Sequence, residues 1–107
     1  MLDSTFASPI NQRPLDFGVD IVIHSATKYI GGHHDITAGF ACCNKPYVDK
    51  LWTHRKIMGG VMDPLSAFLV SRGLKTLELR LREQSRTALL LAQHLAAHPR
   101  VGRVLYP

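Results

Sequence analysis

The sequence has few cysteines, few aromatic residues and no long apolar run. Its two cysteines, Cys42 and Cys43, are neighbours in a strand-like run, where successive side chains point to opposite faces, so a disulfide between them would be strained. No apolar run approaches the roughly 18 residues of a membrane span, and the start "MLDSTFASP" lacks the basic residues and apolar stretch of a signal peptide. We therefore expect a cytoplasmic protein with reduced, buried thiols and no membrane partner.

Acidic residues are also scarce, since 13 Lys and Arg stand against 8 Asp and Glu, which gives a formal net charge of +5. The densest basic group lies in a helical pattern that also contains Glu78 and Glu83, which is typical of a solvated helix face. Its members are Arg72, Lys75, Arg80, Arg82 and Arg86. We expect no nucleic-acid partner, and a basic nucleic-acid-binding module stays an alternative that rests on the net charge alone.

Short strand patterns dominate the first part of the chain. "MLDST" has the character of a strand end and leads into "SPINQRP", which we expect to form turns. "VDIVIHS" is a nearly continuous β-branched run of the kind that is buried on both faces in a parallel sheet, and "ITAGFACC" is a second strand candidate. The last residues, "VGRVLYP", predict a further short strand.

From residue 45 onward the pattern changes to helices. The three patterns are "KPYVDKLWTHRKIMGG", "DPLSAFLVSRG" and the long amphipathic "LKTLELRLREQSRTALLLAQHLAAH". The first has Pro46 at its start and Gly59 at its end, and the second has Asp63 as its N-cap. Trp52 and Phe68 lie on the apolar faces of these helices, so we expect them in the core. These elements do not make a closed two-layer domain, which suggests a piece of a larger α/β protein.

One lysine, Lys28, follows the strand "DIVIH", with Ser25 and Thr27 just before it. Ligand sites in α/β sheets commonly lie at such a transition from strand to loop. The two hydroxyls and the amine can donate to one anionic group, and a free amine can form a Schiff base with a carbonyl. Pyridoxal phosphate supplies a carbonyl, a phosphate and a pyridine nitrogen that requires an acidic partner.

Asp3 is the candidate for that acidic partner. It lies 25 positions before Lys28, which is enough for one crossover and a second strand, so parallel strands could bring both residues to the same sheet edge. A carboxylate there would keep the ring nitrogen protonated. Taken alone, this pattern also fits a capped loop with an exposed lysine.

Three separated motifs resemble the pyridoxal-phosphate enzymes of cysteine and methionine metabolism. They are "DSTFASP", "RPLDFGVDIVIHSATKYIGGHHDITAGF" and "SRGLKTLELRLR", in the order that the transsulfuration group of cystathionine γ-synthase, cystathionine γ-lyase and methionine γ-lyase has them. The resemblance runs from residue 3 to residue 107. Its "GHHD" is similar to the γ-synthase and γ-lyase branch rather than to the sulfhydrylases.

The resemblance implies an α/β fold. Residues 1–84 would be the C-terminal part of the cofactor-binding large domain of a fold-type I, aspartate aminotransferase-like enzyme. Residues 85–107 would be the linking helix and the first strand of the small C-terminal domain. Full members are much longer, so the chain looks like a fragment, and the stacking aromatic ring and the substrate-binding arginine would lie outside it.

The resemblance also implies a role for each candidate residue. Lys28 matches the lysine that forms the Schiff base with pyridoxal phosphate and moves protons on the substrate. Asp3 matches the partner of the pyridine nitrogen, and Ser25 and Thr27 match hydroxyls that bind the phosphate. Ser4 stands where the family usually has asparagine.

The implied reaction is γ-elimination or γ-replacement on cystathionine or an activated homoserine, in a homotetramer that takes a small amino-acid substrate. The alternative is a truncated, non-catalytic remnant or interaction segment of such an enzyme. We do not expect a metal at His33, His34 and Asp35, since sequential neighbours rarely converge on one ion. His24, on the buried strand, is expected to be a packed core histidine.

Overall fold

A computed structural model describes all residues from 1 to 107. Its strands are β1 (Leu2–Asp3), β2 (Ile21–Ser25) and β3 (Gly39–Cys43), and its α-helices are α1 (Ser8–Asn11), α2 (Lys45–Met58), α3 (Pro64–Leu74) and α4 (Leu77–Ala96). A 3₁₀ turn spans Pro14–Phe17, and a wide helical turn spans Ala26–Ile30. Residues 1–77 form one compact unit and residues 78–107 a second. None of the helices combines the length and the hydropathy that a membrane span needs.

The three strands form one sheet in the order β1, β2, β3. β1 runs parallel to β2, with Asp3 beside Ile23, and β3 runs antiparallel to β2, with Gly39 opposite Ser25. The three strands predicted in the first part of the chain are therefore confirmed, including the parallel pair at its start. Because β1 and β2 point the same way, their carboxyl ends, with Asp3 and Ser25, lie at the same edge of the sheet.

The core of the first unit lies against one face of β2. The buried apolar side chains of this unit are Val22, Ala26, Ile30, Ile36, Val70 and Leu77. Along β2, buried residues alternate with half-buried ones, so the prediction of burial on both faces is wrong. The alternation follows from the period of two in a strand, where Val22 and His24 share the covered face. His24 is 4% exposed and packs against the ring of Phe40, so the predicted core histidine is confirmed.

Helix α2 ends at Gly59 and helix α3 begins after Asp63, as these capping residues predict, whereas α3 continues through Gly73, its predicted end, to Leu74. The backbone of Asp63 is extended, and its Oδ1 accepts a hydrogen bond from the Ser66 N–H at 3.0 Å, which satisfies one of the free amides of α3. Gly59 ends α2 in the left-handed conformation, and its N–H donates to the Arg55 carbonyl at 2.9 Å.

The predicted burial of two aromatic side chains is wrong. Trp52 is 51% exposed and Phe68 is 62% exposed, and α2 has no buried residue at all. Helical periodicity identifies an apolar face but does not say whether the same chain covers it. The thiols of Cys42 and Cys43 are free, as expected, but half-buried rather than buried.

Two further predictions need correction. "SPINQRP" is not only turn, because Ser8–Asn11 forms a helical turn with Pro9 at its first positions, where proline is favoured. "VGRVLYP" forms no strand, since a strand requires a neighbouring strand to pair with and none pairs with these residues. Instead, the Tyr106 hydroxyl donates to the Ser85 carbonyl of α4 at 3.4 Å. The domain boundary after residue 84 stays a prediction.

Candidate active site

Lys28 lies in the wide helical turn Ala26–Ile30 that directly follows β2, here named the Lys28 segment. The Gly31 N–H donates to the Ala26 carbonyl at 2.8 Å, which closes the turn over five residues, and the Gly32 N–H donates to the Lys28 carbonyl at 2.8 Å. Lys28 itself has φ −86° and ψ −128°, outside the helical range. Ala26 and Ile30 are buried while Lys28 is exposed, so the segment is anchored on both sides of a presented amine.

Asp3 ends β1 with its carboxylate held by Thr5. The Thr5 N–H donates to Asp3 Oδ1 at 2.8 Å. Hydrogen bonds from Thr5, first from its hydroxyl and then from its backbone N–H, lower the pKa of Asp3 below its ordinary value. The carboxylate is therefore ionised at neutral pH and available to a cationic partner.

Thr5 links the two candidate strand ends, and sequence reasoning missed it. Its Oγ1 accepts a hydrogen bond from the Ser25 N–H at 2.8 Å, while its own N–H donates to Asp3. The residue is buried, with 6% of its surface exposed. The signal was present in the order Asp-x-Thr, because an Asp side chain commonly accepts from the backbone two residues later.

The two hydroxyl residues before Lys28 have different surroundings. Ser25 is half-buried at the last position of β2. The Thr27 hydroxyl accepts from the Ala38 N–H at 3.0 Å and lies 3.3 Å from the Ala38 carbonyl, and the Thr27 N–H donates to that carbonyl at 3.2 Å. Thr27 thus fastens the Lys28 segment to the residue before β3. Phosphate binding by Ser25 and by Thr27 stays a prediction.

Two buried polar atoms lie behind the site without a hydrogen-bond partner. They are His24 Nδ1 and Ser4 Oγ. Burial lowers the pKa of His24, and the negative charge of Asp3 opposes that effect. At Ser4, the departure from the usual asparagine leaves a short side chain that is 3% exposed and makes no hydrogen bond.

Of the three polar residues that follow Gly32, one contacts the backbone next to the Lys28 segment. His33 Nδ1 lies 2.7 Å from the Gly31 carbonyl, which can accept from it. His34 and Asp35 are exposed. The ring of Tyr29 meets that of Phe6 edge-on, with centroids 6.3 Å apart.

The geometry brings an exposed amine, an ionised carboxylate and a serine to one sheet edge. Such a set suits a ligand with a carbonyl group, a cationic ring nitrogen and an anionic group, which are the features of pyridoxal phosphate. A model of the family described as "Cys/Met metabolism PLP-dependent enzyme" matches residues 1–107. The chain belongs to this family.

Relatives with two different named reactions share this segment to a similar degree. The chain is 47% identical over 106 residues to cystathionine gamma-synthase 1, chloroplastic, of Arabidopsis thaliana, covering 99% of the chain and 19% of that relative. It is 49% identical over 107 residues to cystathionine beta-lyase of Coxiella burnetii, covering 98% of the chain and 28% of that relative.

A solved structure of a related enzyme has the same fold as this chain. The cystathionine gamma-lyase of Micromonospora echinospora superposes with a TM-score of 0.94 at 42% identity, over 99% of the chain and 29% of that structure. The fold-type I assignment is therefore confirmed for the segment that this chain covers. The chain spans 19% to 34% of the length of the relatives that it matches. The segment that they share does not distinguish synthase from lyase.

Proposed function

We propose that this chain supplies the catalytic lysine and part of the cofactor site of a pyridoxal-phosphate enzyme of cysteine and methionine metabolism. The observation that supports it most directly is the parallel pairing of β1 with β2, which puts Asp3 and the Lys28 segment at one sheet edge. Thr5 adds a direct connection between the two strand ends. When bound, the cofactor supplies a carbonyl for an amine and a ring that withdraws electrons from the substrate.

The residues at that sheet edge would each have a separate role in cofactor binding or catalysis. The exposed amine of Lys28 would attach the cofactor and afterwards move a proton at the substrate carbon. Asp3, kept ionised by Thr5, would hold the positive charge on the ring nitrogen. Ser25 would donate to the phosphate, and Thr27 would do so only by giving up a contact with Ala38.

The proposed reaction is γ-elimination or γ-replacement on cystathionine or an activated homoserine. The beta-lyase relative adds β-elimination to the reactions that this segment fits, which sequence reasoning did not include. We propose a homotetramer in the cytoplasm for the complete enzyme, with a small amino acid as its substrate.

Reductive trapping tests the role of Lys28. The purified chain is mixed with pyridoxal phosphate and reduced with borohydride, and the modified peptide is mapped by mass spectrometry. We expect the label on Lys28 and its loss in Lys28→Ala. Lys50→Ala, which removes an exposed lysine on α2, is the matched control and should keep the label on Lys28.

A second candidate function is favoured by the exposed apolar side chains of α2 and α3. Here the chain would be a non-catalytic segment that completes another polypeptide. No label on Lys28 of the wild-type chain, or equal labelling of the wild type and Lys28→Ala, would support this reading and contradict the first.

A further inference from the structure

The "SRGLKTL" motif contains a contact between helix α3 and the Lys28 segment. Helix α3 contacts that segment, and the point of contact includes Gly73, near the end of the helix. A Cβ atom on Gly73 would lie 2.5 Å from the Gly31 carbonyl oxygen and 2.6 Å from the Ile30 carbonyl oxygen. Real Cβ atoms essentially never come that close to an oxygen, so any side chain here would push the two backbones apart.

The obstacle is backbone, which cannot rotate away as a side chain can. The two carbonyls belong to residues that close the Lys28 segment, since the Gly31 N–H is bonded to Ala26. Gly31 is itself confined, because a Cβ there would lie 2.6 Å from the Ala26 carbonyl and 2.8 Å from Ile36 Cδ1. The backbone of the segment is therefore closely packed at both glycines. A shift of α3 would displace the segment and, with it, Lys28.

We propose that Gly73 is a positioning residue for Lys28. Because Gly73 has no side chain, α3 can lie against the Ile30 and Gly31 carbonyls. This contact determines the position of the Lys28 amine. The proposal rests on the proposed function for the role of the amine, but the contact itself is a property of the fold. A displacement of about 1 Å can lower the rate of a reaction that depends on orientation by on the order of 100-fold.

Gly73→Ala is an informative substitution because helix propensity and the clash with the two carbonyls change the stability in opposite directions. Alanine favours a helix over glycine, so without the contact the variant would be more stable than the wild type. With the contact, we expect a lower thermal midpoint and faster amide exchange at Gly31 and Gly32, whose N–H groups close the Lys28 segment. Amides in the β2–β3 ladder should keep their wild-type exchange rates, which a general loss of stability would not allow.

The second measurement concerns Lys28. The rate of borohydride trapping of pyridoxal phosphate on Lys28 should fall at least about tenfold in Gly73→Ala. Trapping on the exposed Lys50 should not change. Ser71→Ala, at an exposed position two residues earlier in the same helix, is the matched control and should retain wild-type exchange and trapping.

If Gly73→Ala does not fold, Val70→Ala tests whether the packing of α3 holds the Lys28 segment in place. Val70 is buried one turn earlier on the same side of α3, and its truncation loosens the helix without adding an atom. Amide exchange at Gly31 and Gly32 should again rise more than in the β2–β3 ladder.

Two outcomes would overturn the proposal. One is a stabilised Gly73→Ala with unchanged exchange and trapping. The other is a Val70→Ala in which exchange at Gly31 and Gly32 and exchange in the β2–β3 ladder change equally. The exchange measurement needs no cofactor, so failure of the wild type to label Lys28 refutes the proposed function alone.

Discussion

At the scale of the residue, His24 is an ionisable side chain buried directly behind the candidate site. The residue is 4% exposed, its Nδ1 has no hydrogen-bond partner, and burial lowers its pKa from the ordinary value of 6.5. The folded chain therefore binds a proton at His24 less readily than the unfolded chain does. By linkage, this residue makes the fold less stable as the pH falls below about 6.5.

We predict that the free energy of unfolding decreases between pH 7 and pH 5, by at most about 1.4 kcal/mol per pH unit from this one group. His24→Gln should reduce that slope, because a neutral amide does not take up the proton. Urea unfolding followed by circular dichroism at pH 7, 6 and 5 measures the effect.

His54 offers the matched control. It lies exposed on α2, so His54→Gln should leave the slope as it is in the wild type. If His24→Gln keeps the full slope, another group is responsible for the pH dependence.

Local sequence patterns identified the residues with reactive or ligand-binding side chains. They did not identify the residues that hold those side chains in position. Lys28, Asp3 and Ser25 stand out because an amine, a carboxylate and a hydroxyl follow strand patterns. Thr5 and Gly73 act through contacts with residues 20 and more than 40 positions away, at Ser25 and at Gly31. Such contacts depend on tertiary structure, and nothing in the spacing of the sequence encodes the distance between two backbones.

At the scale of the element, helix ends were predictable because their signals are local. A cap depends on a side chain or a backbone angle within four residues of the helix end. Asp63 and Gly59 illustrate the two kinds, a side-chain acceptor and a left-handed backbone. The strand predicted over the last residues failed for the opposite reason, since a strand depends on a partner elsewhere.

We predict that Gly59→Ala lowers the free energy of unfolding by about 1 kcal/mol. Gly59 has φ +73°, which a residue with a Cβ rarely adopts, and no atom lies near enough to clash with a methyl group. The cost would therefore come from the backbone angle alone. Thermal and urea unfolding of the variant measure it.

The next residue provides the comparison. Gly60 also has open space around it but no left-handed φ, so Gly60→Ala should be neutral or slightly stabilising. Equal effects of the two substitutions would show that the left-handed angle does not determine how α2 ends.

At the scale of the whole molecule, the chain leaves large apolar side chains uncovered. Ile57 is 77% exposed, Phe17 is 75% exposed and Trp52 is 51% exposed. Helical patterns predicted these faces correctly as apolar, yet the core that the chain builds is small. An apolar helix face that its own chain does not cover is an expected site of association.

We predict that the isolated chain associates in a concentration-dependent way and that Ile57→Lys weakens this association. Because Ile57 is already exposed, the substitution removes little buried surface and should change the free energy of unfolding by no more than about 0.5 kcal/mol. Sedimentation velocity over a range of concentrations measures the association. Thr53→Lys adds the same charge at an exposed polar position of α2 and controls for simple charge repulsion. If both lysine variants weaken association equally, net charge rather than the apolar face of α2 governs it, and if neither does, the association surface lies elsewhere on the chain.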